Sequence, residues 1–236
     1  MDKSAKDPAK IQAMFSTIAP RYDLLNKVLS LGIDGYWRKV AVNQMPRTGG
    51  GLRFLDVATG TCDVALEIVK RCPDAKVVGV DFSKGMLRLG KEKVQKAGHQ
   101  DRIELRFADV VSLPFEDNAF DASIIAFGIR NVQEYKKGIS EMGRVVKSGG
   151  KVVILEFTSL QNPFFRLPYR FYITKVLPFI GEIVSGKKGA YKYLPSSMLE
   201  FPGPEELKKA MEEAGLRDVK YYRLTLGVVA VHVGTK

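Results

Sequence analysis

Runs of apolar and β-branched residues that stop at or beside an acid and give way at once to a helix-like stretch recur along this chain. That alternation constrains the fold more tightly than any other feature. Residues 52–57 (LRFLDV) carry Asp56 next to their end and lead through ATGTCD into an apolar-periodic segment near 62–71. Residues 76–81 (KVVGVD) end on Asp81, and Ser83 then stands at a helix start for 84–97. A third run, 103–107 (IELRF), stops just before Asp109. Further buried-strand candidates are 120–127 and 151–157, with a helix-like stretch at 134–147 between them. Strands alternating with helices predict βαβ units and a mostly parallel sheet. Such strands are apolar throughout because helices cover both faces. The end of the chain differs. A helix is expected over 204–214, with Pro204 and acids in its first turn and Gly215 just past it. Strands 217–224 and 228–233 are joined only by residues 225–227, too few for a crossover, so the last strand must run antiparallel to its predecessor. The predicted fold is a doubly wound α/β domain around a seven-stranded sheet whose last strand is antiparallel.

At 236 residues the chain suits one such domain, 1–236, with embellishments. Two segments fall outside the alternation: an N-terminal helical cap at 8–46 and an insert at 161–201. The insert concentrates aromatics (Phe164, Phe165, Tyr169, Phe171, Tyr172, Phe179, Tyr191, Tyr193, Phe201) and bases (Arg166, Arg170, Lys175, Lys187, Lys188, Lys192), against Glu182 and Glu200 alone. Composition, 45% apolar and 27% charged, excludes disordered, collagen-like and disulfide-scaffold classes. Cys62 and Cys72 are too few for a disulfide framework or a zinc site, which favours a reducing compartment and no metal. The start, MDKSAKDPAK, lacks the apolar stretch of a signal peptide, and no run reaches the roughly 18 apolar residues of a membrane span. A cytoplasmic location is expected. The net charge of +11 fits nucleic acid, an anionic membrane surface or an acidic ligand, and equally a solvated Lys-rich surface.

The sharpest local signal is Asp56-Val-Ala-Thr-Gly-Thr-Cys-Asp63 between a strand and a helix. There a tight turn at Gly60 lets backbone N–H groups and a helix N-terminus face a ligand. An acid before the turn would repel a pyrophosphate and suits an ammonium group. Dinucleotide binding would also want two more glycines. Asp81 stands where a carboxylate accepts both hydroxyls of a ribose, with Phe82 beside it, and Asp109 could accept from the exocyclic amine of a base. Three acids at the carboxyl ends of parallel strands describe a nucleoside pocket with an extra cation site, the pattern of S-adenosylmethionine. Alone, each is an ordinary strand-end acid. Gly181–Lys188 (GEIVSGKK) imitates a P-loop, but it ends in Lys and follows no strand. After the fourth strand, Phe127-Gly-Ile-Arg-Asn-Val132 brings Arg130 and Asn131 to the same edge. An Arg fork there can hold a developing oxyanion and an Asn can orient a hydroxyl; an Arg that caps a loop is the equal alternative. His99, in a polar turn, and His232, on the last strand, read as structural rather than as bases.

Four stretches carry a wider resemblance: Tyr22-Asp-Leu-Leu-Asn26 with Ser30 and Trp37; Phe127–Val132; Arg144–Gly150 with Glu156; and Tyr191–Ser197 with Phe201-Pro202. With them the chain resembles the ubiquinone/menaquinone biosynthesis C-methyltransferases, of the class I S-adenosylmethionine-dependent fold, over nearly its whole length. The resemblance implies cofactor contacts at Thr61, Asp81, Asp109 and Val110. Ala126 falls where some members have Ser. Members often have Gly at the positions of Ala58 and Cys62, His at Asp34, Met at Leu25, Pro at Ser148 and Ser at Thr158.

The implied reaction is methyl transfer from S-adenosylmethionine, leaving S-adenosylhomocysteine, to a ring carbon of a prenylated quinol, most simply demethylmenaquinol to menaquinol. Arg130 would stabilise the phenolate and Asn131 would orient the ring oxygen. Tyr22, Asp23, Asp34 or an ordered water would take the proton, and the sequence leaves these open. The prenyl tail calls for an apolar groove, and the aromatic-basic insert and N-terminal helices suit a peripheral approach to an anionic membrane. The same residues also serve if the aromatics merely pack the insert onto the domain. Other readings are a methyltransferase of the same fold acting on a polyprenyl benzoquinol, another small molecule or RNA; a dinucleotide-dependent oxidoreductase; and a nucleoside-binding module without chemistry. Nucleic acid is disfavoured by the acidic pocket. Oligomeric state, a homodimer included, is open.

Overall fold

A computed structural model describes residues 8–47, 50–158, 167, 169–176, 178–179 and 193–236. Seven strands form one sheet in the order β3-β2-β1-β4-β5-β7-β6: β1 (Arg53–Val57), β2 (Lys76–Asp81), β3 (Ile103–Phe107), β4 (Phe120–Ala126), β5 (Val146–Phe157), β6 (Arg217–Leu224) and β7 (Val229–Thr235). β1 to β5 pair in parallel, and β7 lies antiparallel between β5 and β6. The expected doubly wound sheet with its reversed last strand is therefore present.

β5 starts five residues earlier than its apolar run suggests. Its pairing with β4 skips from Phe120↔Val146 to Ala122↔Lys151, and Gly149 (φ +80°) and Gly150 fill the irregularity. A Cβ on Gly150 would come within 2.5 Å of Val146 and 2.6 Å of the Asp121 carbonyl, so only glycine fits.

Both faces of the central strands are covered, which is why their runs are apolar, whereas the edge strands β3 and β6 carry exposed charges. On one side Leu55, Phe120, Ile125 and Ile154 meet Ile139 and Met142 of α6 (Tyr135–Val145) and Leu207 and Met211 of α8 (Pro204–Glu213). On the other, Phe54, Ile124 and Val153 meet α3 (Asp34–Val42) through Trp37 and Ala41, α4 (Asp63–Arg71) through Ile68, and α5 (Lys84–Lys96) through Val94. Each such aliphatic or aromatic side chain, fully buried, contributes about 1.5–3 kcal/mol.

Local signals act where they were read. Ser83 Oγ accepts from Met86 N at the start of α5. Gly215 (φ +88°) closes α8, letting Leu216 N reach back to the Met211 carbonyl. His232 is structural: it is buried in β7, one ring nitrogen lies 2.9 Å from the Pro204 carbonyl, and burial lowers its pKa to about 4.

Before the sheet come α1 (Pro8–Ile18), α2 (Tyr22–Leu29) and α3. Ile18 and Leu25 of the first two form a third small core with Ile173, from a π-helical turn at Tyr172–Val176, and Met198 of α7 (Tyr193–Glu200). Tyr172 donates from its hydroxyl to the Leu29 carbonyl at 3.0 Å, tying insert to helix. Phe201 is buried against Tyr135, whereas Phe171, Phe179, Arg170 and Lys175 are exposed. The other expectations for the insert (Phe164, Phe165, Arg166, Lys187, Lys188, Tyr191, Lys192 and the Gly181–Lys188 stretch) lie outside the described residues. Among the described residues, no helix is long and apolar enough to cross a membrane.

Candidate active site

The carboxyl ends of β1, β2 and β4 open into two clefts that share a wall. The first, of about 950 Å³, is lined by Gly60, Asp81, Phe82, Asp109, Val110 and Ala126 among others. The second, of about 1250 Å³, runs beneath α2 and the insert, with Arg130, Asp34, Trp37, Tyr169 and Tyr172 on its walls. Phe15, Tyr22, Phe127 and Asn131 belong to both.

Of the three strand-end acids, two reach the first cleft. Asp81 Oδ2 accepts from Gly60 N (2.9 Å) and Oδ1 from Ser83 N (2.8 Å). Each oxygen keeps a second lone pair, enough to receive a vicinal diol. Burial raises the Asp81 pKa to about 6, opposed by the N–H groups of Ser83, Gly60 and Phe82. Asp109 is exposed on the wall, with Oδ1 holding Val111 N at 3.1 Å.

Asp56 does not reach either cleft. It pairs across the ladder with Gly79, two residues short of Asp81, and so sits about 7 Å deeper along the strands. Its Oδ2 takes Thr59 Oγ1 (2.5 Å) and Ala65 N (3.1 Å), and burial lifts its pKa to about 7. Asp56, expected to meet an ammonium, thus braces the turn from within. The Thr61 hydroxyl donates to Asp23 Oδ1 at 2.5 Å, and Thr61 lines neither cleft.

The turn itself runs through left-handed backbone at Ala58 (φ +50°), Gly60 (φ +56°) and Cys62 (φ +72°). Glycine is the natural occupant of all three positions. Gly90 on α5 allows the turn to lie close, since a Cβ there would meet Cys62 Sγ at 2.5 Å and the Gly60 carbonyl at 3.2 Å.

Arg130, in the 3₁₀ turn Ile129–Asn131 after β4, is buried and ion-paired. One Nη donates to Glu156 Oε1 (2.8 Å) and to the Phe127 carbonyl (2.5 Å), while the guanidinium lies 5.3 Å from the Phe157 ring. Glu156, at the end of β5, also accepts from the backbone of Arg130 and Phe157. It had no role assigned from sequence, although an acid at a fourth strand end was the signal. The positive charge expected to act from Arg130 is thus paired with a carboxylate, and its Nε–H is buried without a hydrogen-bond partner among the described residues. Arg130 Nε, Asn131 Oδ1 and Tyr169 Oη are buried and without a hydrogen-bond partner among the described residues. All three belong to residues that line the second cleft. An unmade hydrogen bond in such surroundings costs about 1–3 kcal/mol each, so three in one cleft are what a polar ligand would relieve.

The candidate bases fare differently. Tyr22 lies between the clefts; burial raises its pKa, against a hydrogen bond from Asn26 and the charge of Arg130, so it stays protonated. Asp34 is desolvated, yet Arg38's charge and hydrogen bond, with a 2.9 Å bond from Ser30 Oγ, hold its carboxyl below the usual range. Asp23 lines neither cleft and is held by Thr61 and, at 2.6 Å, by Lys93.

Solved structures share the fold at low identity. A SAM-dependent methyltransferase from Aquifex aeolicus superposes with a TM-score of 0.61 at 19% identity, covering 84% of this chain and 88% of that one. The [4+2]-cyclase SpnF gives 0.63 at 16%, covering 95% and 93%, so the fold alone does not decide the chemistry. The sequences are more specific. Residues 3–236 match the ubiE/COQ5 methyltransferase family. The ubiquinone/menaquinone biosynthesis C-methyltransferase UbiE of Geobacter sp. (strain M21) is 51% identical over 96% of both chains. The demethylmenaquinone methyltransferase of Thermus thermophilus is 49% identical over 94% of this chain and 100% of that one; its Deinococcus radiodurans counterpart is 46% identical over 100% and 95%. With a match that takes in the sheet, both clefts and the helices above them, this chain belongs to the ubiE/COQ5 methyltransferase family.

Proposed function

We propose that this methyltransferase binds S-adenosylmethionine in the first cleft and methylates a ring carbon of a prenylated quinol held in the second, converting demethylmenaquinol to menaquinol. The observation that carries the reading is the junction of the clefts at Tyr22, Phe127 and Asn131. A nucleoside-shaped site with Asp81 and Asp109 there meets an apolar one holding unpartnered polar atoms. When bound, S-adenosylmethionine supplies an activated methyl group. The chain supplies alignment, which is worth about 7–11 kcal/mol in a well-set bimolecular reaction. It also supplies polarity matched to a phenol. Arg130 Nε–H donates to the ring oxygen beside the reacting carbon, Glu156 keeps the guanidinium in place, and Asn131 Oδ1 accepts a hydroxyl proton. An ordered water takes the phenolic proton, because Tyr22 holds its own proton and Asp34 is pinned by Arg38. As the methyl passes from sulfur to the ring carbon, leaving the thioether behind, that carbon loses its C–H proton and the oxygen is reprotonated. This restores the quinol with one proton released to solvent.

The names of the Thermus and Deinococcus relatives favour a naphthoquinol. Methyl incorporation measured side by side on demethylmenaquinol and a demethylated polyprenyl benzoquinol should favour the first at least tenfold. Equal rates would remove the naphthoquinol preference, and no incorporation on either would remove the reaction.

The cap and insert over the second cleft would receive the prenyl tail at a membrane surface. Three exposed apolar side chains support this: Leu31 (80% exposed), Leu226 (68%) and Phe171 (62%), with Lys27, Lys39, Arg170 and Lys175 also exposed on the same segments. Leu31 (φ +53°) and Leu226 (φ +57°) hold left-handed backbone while presenting these side chains, a strain that persists at functional sites. Their segments converge on one mouth, since Leu31, Thr225 and Tyr172 all line the second cleft and Trp37 Nε1 bonds Thr225 Oγ1 at 2.7 Å. Leu31→Asp combined with Leu226→Asp should cut co-sedimentation with anionic phospholipid vesicles by at least fivefold, and salt should weaken wild-type binding. Unaltered sedimentation would refute this surface.

A further inference from the structure

The mechanism above uses two of the three unpartnered polar groups of the second cleft and leaves the third: Tyr169, from the insert, whose hydroxyl is buried and has no partner among the described residues. It packs against the small core of Ile18, Leu25, Ile173 and Met198, as do Tyr22, Leu29, Phe157 and Tyr172. Phe157 lies under the Arg130 guanidinium, at 5.3 Å from ring centroid to carbon, and Arg130, Phe157 and Tyr169 all line the second cleft, with the Arg130 charge acting on the Tyr169 hydroxyl. A buried tyrosine normally finds a partner for its hydroxyl. Its neighbour Tyr172 does so, on the Leu29 carbonyl.

We propose that the Tyr169 hydroxyl is a catalytic hydrogen-bond donor which, with Arg130 Nε–H, forms a two-donor cradle for the phenolic oxygen of the aromatic substrate. This rests on the aromatic-ring methylation proposed above. The need for a second donor follows from Glu156. With the charge of Arg130 neutralised at 2.8 Å, a developing phenolate gains little from net charge and must be met by oriented N–H and O–H dipoles. Burial raises the Tyr169 pKa, so the group is a neutral donor that does not give up its own proton. Arg130 comes from the turn after β4 and Tyr169 from the insert.

Tyr169→Phe separates this role from packing, because the ring is kept and only the unpartnered oxygen is lost. Three quantities decide it: kcat on demethylmenaquinol, the Kd for S-adenosylhomocysteine, and the Tm of the ligand-free protein. The expected result is kcat down about tenfold, the loss of one hydrogen bond. Cofactor Kd should stay within twofold and Tm should be unchanged or higher, since an unsatisfied buried hydroxyl has been removed. Unchanged kcat overturns the proposal. A fall in kcat with a clear fall in Tm also overturns it, because the hydroxyl would then be structural. Wild-type protein that fails to methylate either quinol at all is a failure of the parent reading, and the role of Tyr169 goes with it.

Discussion

Arg130→Lys should give a protein that folds and binds cofactor normally yet has lost about a hundredfold or more in turnover. Lysine keeps the positive charge that Glu156 needs, and its ammonium can reach the positions now served by the Nη donors at Glu156 Oε1 and the Phe127 carbonyl. What it lacks is the rest of the fork: the Nε–H, buried without a partner among the described residues, and the second Nη. Loss of one preorganised donor to a developing oxyanion costs about 10²–10³ in kcat. Arg130 lines the second cleft and not the first, so the Kd for S-adenosylhomocysteine should hold. Arg130→Ala would confuse the matter, because it strands a carboxylate that is 1% exposed. Glu156→Ala supplies the contrast: an uncompensated guanidinium in the same place should cost about 3–5 kcal/mol of stability, seen in thermal unfolding, before any effect on rate. If Arg130→Lys turns over like wild type, the Nε–H has no part in the reaction.

Legibility in the sequence followed the physics of each signal. Strand bounds such as 76–81 were readable to the residue because a doubly covered strand is apolar along nearly its whole length and stops where the chain turns to water. The start of β5 was not, because residues 147–150 carry no apolar pattern and the pairing there depends on an irregularity built from two glycines. Asp56 and Asp81 look alike in sequence, each an acid at or beside the end of a short apolar run. Only the register between β1 and β2 shows that one ends two residues deeper than the other and turns inward. The pairing of Arg130 with Glu156 joins residues 26 apart, from the turn after β4 and the end of the adjacent β5. No local pattern encodes it, although a shared strand edge makes it possible. Tyr169 was seen only as one aromatic among many, since a missing hydrogen bond is a property of the folded surroundings.

Asp81→Asn should weaken cofactor binding about a hundredfold and remove its dependence on acid. Asp81 is the one acid of the site whose two oxygens both serve the loop and still face the first cleft, taking Gly60 N at 2.9 Å and Ser83 N at 2.8 Å. Hydrogen bonds to a charged group are worth about 1.5–3 kcal/mol each, and an amide offers one acceptor oxygen where the carboxylate offers two. A ribose diol would therefore lose at least one charge-assisted bond. The loop would lose one anchor. The pH dependence follows from burial, which raises the carboxyl to about 6 in the free protein. Below that pH the ligand-free form holds a proton that the unfolded chain, at the ordinary carboxyl value, would not. Acidification from 7 toward 5 thus favours the fold at this group while removing the acceptor the cofactor needs. Affinity for S-adenosylhomocysteine, measured by calorimetry, should then fall toward tenfold per unit as pH drops below about 6 in wild type. In Asp81→Asn it should stay flat. Equal slopes in the two proteins would move the cofactor's hydroxyl acceptor to another residue, with Asp109 the next carboxylate on that wall.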